Sequence, residues 1–196
     1  LKGCGPAAYW LMAVGGALTG AYLFGGLNLA ASGLPPFGHS VAGALAGAIL
    51  GVEAFKWQQG VKGSTGGLFA APLAVGISLG RVGCFLSGLN DQTHGIPSNL
   101  PWAHDYGDGI PRHPVQLYES LSMLVFLTLY IPWARRHPAQ ALALGFPLFV
   151  LCYASQRFCW EFLKPYGTLL GPLNLFHLVC IGLISYAGAQ LIRARH

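Results

Sequence analysis

Six runs of about 20 mostly apolar residues divide this chain, each long enough to cross a bilayer as a helix. They occupy 7–31, 38–57, 67–87, 115–134, 141–163 and 172–192. Hydrocarbon offers the backbone no water to bond, so lipid-facing runs of this kind must be helical. Charged residues make up 9% of the chain, against roughly 25% in a soluble domain. Too few remain to cover a water-facing surface. The expected fold is all-α: a polytopic transmembrane helical bundle, one domain over 1–196.

The breaks between runs carry the residues that stop helices. Pro35-Pro36, Gly60, Gly63-Ser64, Arg135-Arg136-His137-Pro138 and Lys164-Pro165-Tyr166-Gly167 fill them. The connection 88–114 is longer and polar, with Asp91, His94, Asn99, His104, Asp105 and Asp108. A connection of that length is usually functional or disordered. The second run is dense in Gly43, Ala44, Ala46, Gly47, Ala48 and Gly51, a composition that lets helices approach closely.

The net charge of +5 does not point to nucleic acid, because the basic residues sit at the ends of apolar runs. Their distribution sets an orientation instead. Numbering the connections alternately, one side receives Lys2, Lys56, Lys62, Arg135, Arg136, Arg193 and Arg195. The other receives chiefly Arg112 and Lys164. Positive charge stays inside, so both termini are expected in the cytoplasm and loop 88–114 outside.

Several ionisable residues lie within the runs. Arg81 falls in the third, Glu119 in the fourth, and Arg157 and Glu161 in the fifth, while His39 opens the second. All five are expected near the outer leaflet. A charge inside a span costs about 3 kcal/mol by insertion scales, so it should face the protein interior. Pairing Arg81 with Glu119, and Arg157 with Glu161 at i, i+4, accounts for the acids. It does not explain two arginines at one depth with Arg112 and His113 just above. Guanidinium forks grip phosphate, so a phospholipid headgroup is the expected ligand.

Other residues have plainer readings. The five cysteines include no CxxC, and they are expected as small core residues without disulfides. Glu53 and Lys56 should form a surface pair; Trp57, Trp102 and Trp133 should sit in interfacial belts; His177 should be packed or hydrogen-bonded. Leu1-Lys2-Gly3-Cys4 is lipobox-like, and a chance match is the reading adopted for it.

Two stretches are more specific: Gly80-Arg81-Val82-Gly83-Cys84-Phe85-Leu86-Ser87-Gly88 and Pro111-Arg112-His113-Pro114-Val115-Gln116-Leu117-Tyr118-Glu119. Leu100-Pro101-Trp102-Ala103 lies between them, and Arg157-Phe158-Cys159-Trp160-Glu161-Phe162 follows. In this order they resemble the bacterial prolipoprotein diacylglyceryl transferases, with their GR-x-GNF-x-NGE, PWA, RHP-x-QLYE and R-x-x-x-EF elements. His39 and the Gly/Ala-rich run after it look like the family's His-Gly-Gly helix.

The resemblance implies an enzyme of the bacterial inner membrane whose site faces the outer leaflet. It would transfer diacylglycerol from phosphatidylglycerol to the lipobox cysteine of a prolipoprotein signal peptide, releasing glycerol phosphate. Arg81 and Arg157 would bind the phosphate and Glu119 would belong to the same site. His39 would help deprotonate the thiol. Arg112, His113, Gln116, Tyr118 and Glu161 would complete the phospholipid pocket. Membrane lipids are the other partners; no metal or cofactor is implied.

The chain departs from the family pattern at Cys84 and Ser87, where the family has asparagines, and at Leu89, where it has glutamate. The family usually has seven spans, the first starting outside; loss of that span would give the six expected here. An extended periplasmic head region is also expected to be lacking. Two further readings therefore stand beside the first: a phospholipid-dependent transferase with another acceptor, and a non-catalytic lipid-binding or assembly subunit.

Overall fold

The structure, a computed structural model, describes residues 6–33 and 36–194; Lys2, Cys4, Pro35 and Arg195 fall outside them. Six helices form: α1 (Pro6–Ala31), α2 (Val41–Gln59), α3 (Ala70–Leu86), α4 (Val115–Arg136), α5 (Pro138–Glu161) and α6 (Leu175–Arg193). They match the six apolar runs to within a few residues. Five are long and apolar enough to cross a membrane. The sequence expectation of six spans counts α2 as well, but its glycines and the Glu53, Lys56, Gln58 and Gln59 near its end dilute its apolarity.

The helices divide between two compact units. In the first, α1 and α2 run antiparallel in close contact. A Cβ built on Gly47 would lie 2.0 Å from the Gly16 carbonyl oxygen, and one on Gly43 would lie 2.4 Å from that of Gly20. Only glycine allows this approach, so the small-residue run of α2 serves helix packing. Ser40 caps α2 by accepting from the Gly43 amide at 3.1 Å. Gly60 ends it in the left-handed region, at φ 66°, donating its amide to the Lys56 and Trp57 carbonyls. Lys56 pairs with Glu53 at 2.7 Å, yet its side chain is buried, so this is not the surface pair expected from sequence. Tyr166–Leu183 completes this unit. There Asn174 and His177 bond each other's backbone amides, both at 3.1 Å, a reciprocal cap at the start of α6.

The second unit holds Ser64–Pro165 and the end of α6. A 3₁₀ turn at Gly67–Phe69 leads into α3, and a Cβ on Gly67 would come within 2.2 Å of the Leu142 carbonyl oxygen of α5. His137 is the single joint between α4 and α5, followed by Pro138 at the first helical position. This hairpin sets the start of α4 beside the end of α5. Trp160 donates to Ser122 across it at 3.2 Å. Buried Ser78 and Ser120 clamp α3 to α4: the Ser120 hydroxyl donates to the Ser78 carbonyl at 2.9 Å, and the hydroxyls meet at 3.0 Å.

Loop 88–114 is ordered. Strands β1 (His104–Asp105) and β2 (Pro111–Arg112) form a small antiparallel hairpin. Asp105 Oδ1 accepts from the amides of Gly107, Asp108 and Gly109 at 2.8–3.1 Å, which closes the turn. Gly107 supplies the φ of 100° that the turn needs. A second layer runs beneath: the amides of His113 and Ser98 donate to the carbonyls of Ile96 and Pro111. Ile96 itself donates to Leu163 at 2.8 Å, which ties the loop to the segment after α5. Among the described cysteines none is in a disulfide. Cys180 is buried as expected, whereas Cys159 is exposed, on the side of α5 opposite its packed stripe.

Candidate functional site

Three helices of the second unit each bring a buried charge to one point. On α3, Arg81 lies one turn beyond the Ser78 clamp. On α4, Glu119 precedes Ser120, the other half of that clamp. On α5, Arg157 and Glu161 end the stripe Phe149, Val150, Tyr153, Ala154 that packs inward. Each charged residue thus continues a face already buried by its neighbours, which fixes where it points.

The result is a cluster centred on Glu119. Its Oε2 pairs with Arg81 Nε, and its Oε1 pairs with Arg157. The same Oε1 receives Lys164 Nζ at 2.7 Å. Arg157 reaches back to Glu161 at 2.8 Å. Glu119, Glu161 and Lys164 have side chains 0% exposed, and Arg81 and Arg157 only 7% and 4%. Arg81 and Arg157 therefore share one carboxylate. Among the described residues the cluster holds three cations and two carboxylates, a net charge of +1. A buried charge without a counter-ion is costly, so such a cluster favours an anion.

Arg81 also has donors to offer. With Nε on Glu119, among the described residues its Nη1 faces only the Cys84 sulfur at 4.0 Å, a weak acceptor. Cys84 in turn faces Asp91, which accepts a bond from Thr93. Gln116, one turn before Glu119, is wholly buried. It accepts from the Tyr106 hydroxyl at 3.0 Å, and its Nε2 has no partner among the described residues.

The other residues singled out from sequence lie differently. Tyr118 and His113 belong to a neighbouring network: Trp102 donates to the Tyr118 hydroxyl at 2.8 Å, and His113 Nδ1 lies 3.3 Å from that oxygen. The Tyr118 ring lies 5.2 Å from that of Trp160. Arg112 is held in the hairpin by two bonds to Asp108, each 2.7 Å, and does not join the buried cluster. That pairing holds the exposed Asp108 carboxyl down to about 2. His39 belongs to the first unit, where its ring lies 4.4 Å from Tyr22. Trp57 and Trp102 are exposed, and His177 is buried and bonded to Asn174.

Sequence reasoning passed over Lys164 by assigning it to a loop. The available signal was its i+3 spacing from Glu161, one turn past a helix that ends in charged residues. Burial, then the neighbouring Arg157, pushes the Lys164 ammonium down to about 8. The second missed residue is Tyr106, which only the folded hairpin brings to Gln116.

The membrane-length helices define an integral membrane protein, and three of them, α3, α4 and α5, bring together a buried, cation-rich cluster. A family model described as prolipoprotein diacylglyceryl transferase matches residues 9–193. The chain belongs to that family. It is 32% identical over 168 residues to the phosphatidylglycerol–prolipoprotein diacylglyceryl transferase of Methylococcus capsulatus, covering 81% of this chain and 62% of that protein. The transferase of the same name from Pseudoalteromonas translucida is 35% identical over 137 residues, covering 68% of this chain and 50% of that one. That from Idiomarina loihiensis is 38% identical over 112 residues, covering 56% and 41%. The chain thus spans about three fifths or less of the curated relatives quoted. No solved structure matches it.

Proposed function

We propose that this chain transfers the diacylglyceryl group of phosphatidylglycerol to the lipobox cysteine of a prolipoprotein. The observation that carries the reading is the buried cluster at Glu119, with one positive charge in excess among the described residues and a terminal nitrogen of Arg81 bonded only to a weak sulfur acceptor. A phosphodiester carries one negative charge and accepts from guanidinium forks, so the two are complementary.

In the reaction the thiolate sulfur attacks the glyceryl carbon and forms a thioether. The bond from that carbon to the phosphate oxygen breaks, and its electron pair stays on the oxygen. The thiol's proton is released to a base. Charge accumulates on the departing glycerol phosphate, and cations fixed in a dry site stabilise such charge most effectively. In this account Arg81 and Arg157 contact the phosphate, and Glu119 and Glu161 hold them in position. Gln116 Nε2 offers a donor to the glycerol headgroup. His39 carries the family expectation of a group that helps form the thiolate. Arg112, His113 and Tyr118 shape the approach from loop 88–114. We place the chain in the bacterial inner membrane with both termini cytoplasmic and the site towards the outer leaflet, a placement that rests on the Lys/Arg asymmetry.

The test is transfer from radiolabelled phosphatidylglycerol to a lipobox peptide by purified protein. Wild type should form the thioether product, and Arg81→Met and Arg157→Met should each lose at least about 100-fold in rate. Wild-type rates in either variant would remove that arginine from the mechanism. Cys84 against Arg81, where the family has asparagine, favours a second reading with a different acceptor. Phospholipid turnover without the peptide would select that reading; product only with the peptide would reject it.

A further inference from the structure

We propose that Lys164 is a positioning residue for the phospholipid phosphate, and that its single charge makes the buried cluster attract an anion. The proposal deepens the reading above and rests on it. Without Lys164, Arg81 and Arg157 face Glu119 and Glu161, and the four charges cancel. Lys164 Nζ, 0% exposed and 2.7 Å from Glu119 Oε1, turns that neutral set into one with a net +1. It shares that oxygen with Arg157, so one carboxylate oxygen faces two cations.

The position of Lys164 is fixed from both sides. Its own amide donates to the Glu161 carbonyl at 3.2 Å, continuing the last turn of α5. The preceding carbonyl, of Leu163, accepts from Ile96 in loop 88–114. The backbone that carries Lys164 is therefore held beside the cluster by bonds independent of any ligand, and Nζ meets Glu119 from there.

Lysine at this position can titrate, whereas arginine would stay charged throughout the accessible range. The charged groups facing Nζ are Arg81 from α3, Glu119 from α4, and Arg157 and Glu161 from α5. Burial and the arginines oppose its charge, the carboxylates support it, and the balance leaves the group titrating at about 8. Below that pH Lys164 is charged and the cluster attracts an anion. Above it the cluster is neutral. The phosphodiester keeps its charge throughout, so affinity for phosphatidylglycerol should fall as pH rises through about 8.

The test is binding of phosphatidylglycerol in mixed detergent micelles, followed by tryptophan fluorescence from pH 6.5 to 9.5, with no acceptor peptide. Wild type should lose about tenfold in affinity between pH 7 and pH 9. Lys164→Arg should bind within about threefold of wild type at pH 7 and show no fall over the range. Lys164→Met should be pH-independent and about tenfold weaker at pH 7. A merely structural lysine would not give a flat profile in a folded arginine variant. The proposal is overturned if the arginine variant titrates like wild type, or if folded Lys164→Met binds as tightly as wild type. Because no transfer is measured, a pH-independent wild type that still transfers lipid would sink this inference alone. The expected profile without any transfer would sink the enzymatic reading alone.

Discussion

Glu119 is the residue on which the site turns. Its two oxygens engage three cations from α3, α5 and the segment after α5, all shielded from solvent. Removing one partner of a buried ion set leaves the rest uncompensated, which costs about 3–5 kcal/mol. Glu119→Gln should lower unfolding stability in detergent by about that amount, and added phosphatidylglycerol should recover part of it by supplying a negative charge. Unchanged stability would mean that the three cations are held by something other than this carboxylate. Much at this scale was legible beforehand. The pairs Arg81–Glu119 and Arg157–Glu161 are both formed. Periodicity could not show that Arg157 also reaches Glu119, or that Lys164 turns inward. Those contacts depend on how α4 and α5 meet and on where the chain goes after α5 ends.

At the scale of elements, the α1–α2 pair shows what glycine does in this chain. Gly16, Gly20, Gly43 and Gly47 let two backbones touch, and α2 is not among the five described helices that are long and apolar enough to cross a membrane. Packing against α1 therefore matters more to α2 than its own hydropathy. Gly47→Leu would drive a side chain into the Gly16 carbonyl and should separate the pair, lowering stability by several kcal/mol, about what overpacking a core costs or more. Gly182→Leu, with open space around its Cβ position, is the control and should be nearly neutral. Equal melting temperatures for the two variants would show that the close approach contributes little. The hairpin in loop 88–114 illustrates the opposite case. The run Asp105-Tyr106-Gly107-Asp108-Gly109 carries turn signals, but the loop's polarity gave no indication of its pairing with residues 95–98 or of its anchor at Leu163.

For the whole molecule, hydropathy sufficed for the helices because lipid imposes one dominant constraint on an apolar run. Orientation and chemistry do not follow from hydropathy, and here they rest on where the few charges lie. The 9% of residues that are charged include a set of five that the fold gathers beside one carboxylate, at an energetic cost that function must justify. In the proposed function this set holds a phospholipid phosphate. Native mass spectrometry of the protein released from nanodiscs of equal phosphatidylglycerol and phosphatidylcholine tests it directly. Wild type should retain phosphatidylglycerol in preference, and Arg81→Met should lose that preference by about tenfold. If the folded variant keeps the same lipid in the same proportion as wild type, the cluster is a structural ion network and the claim is wrong.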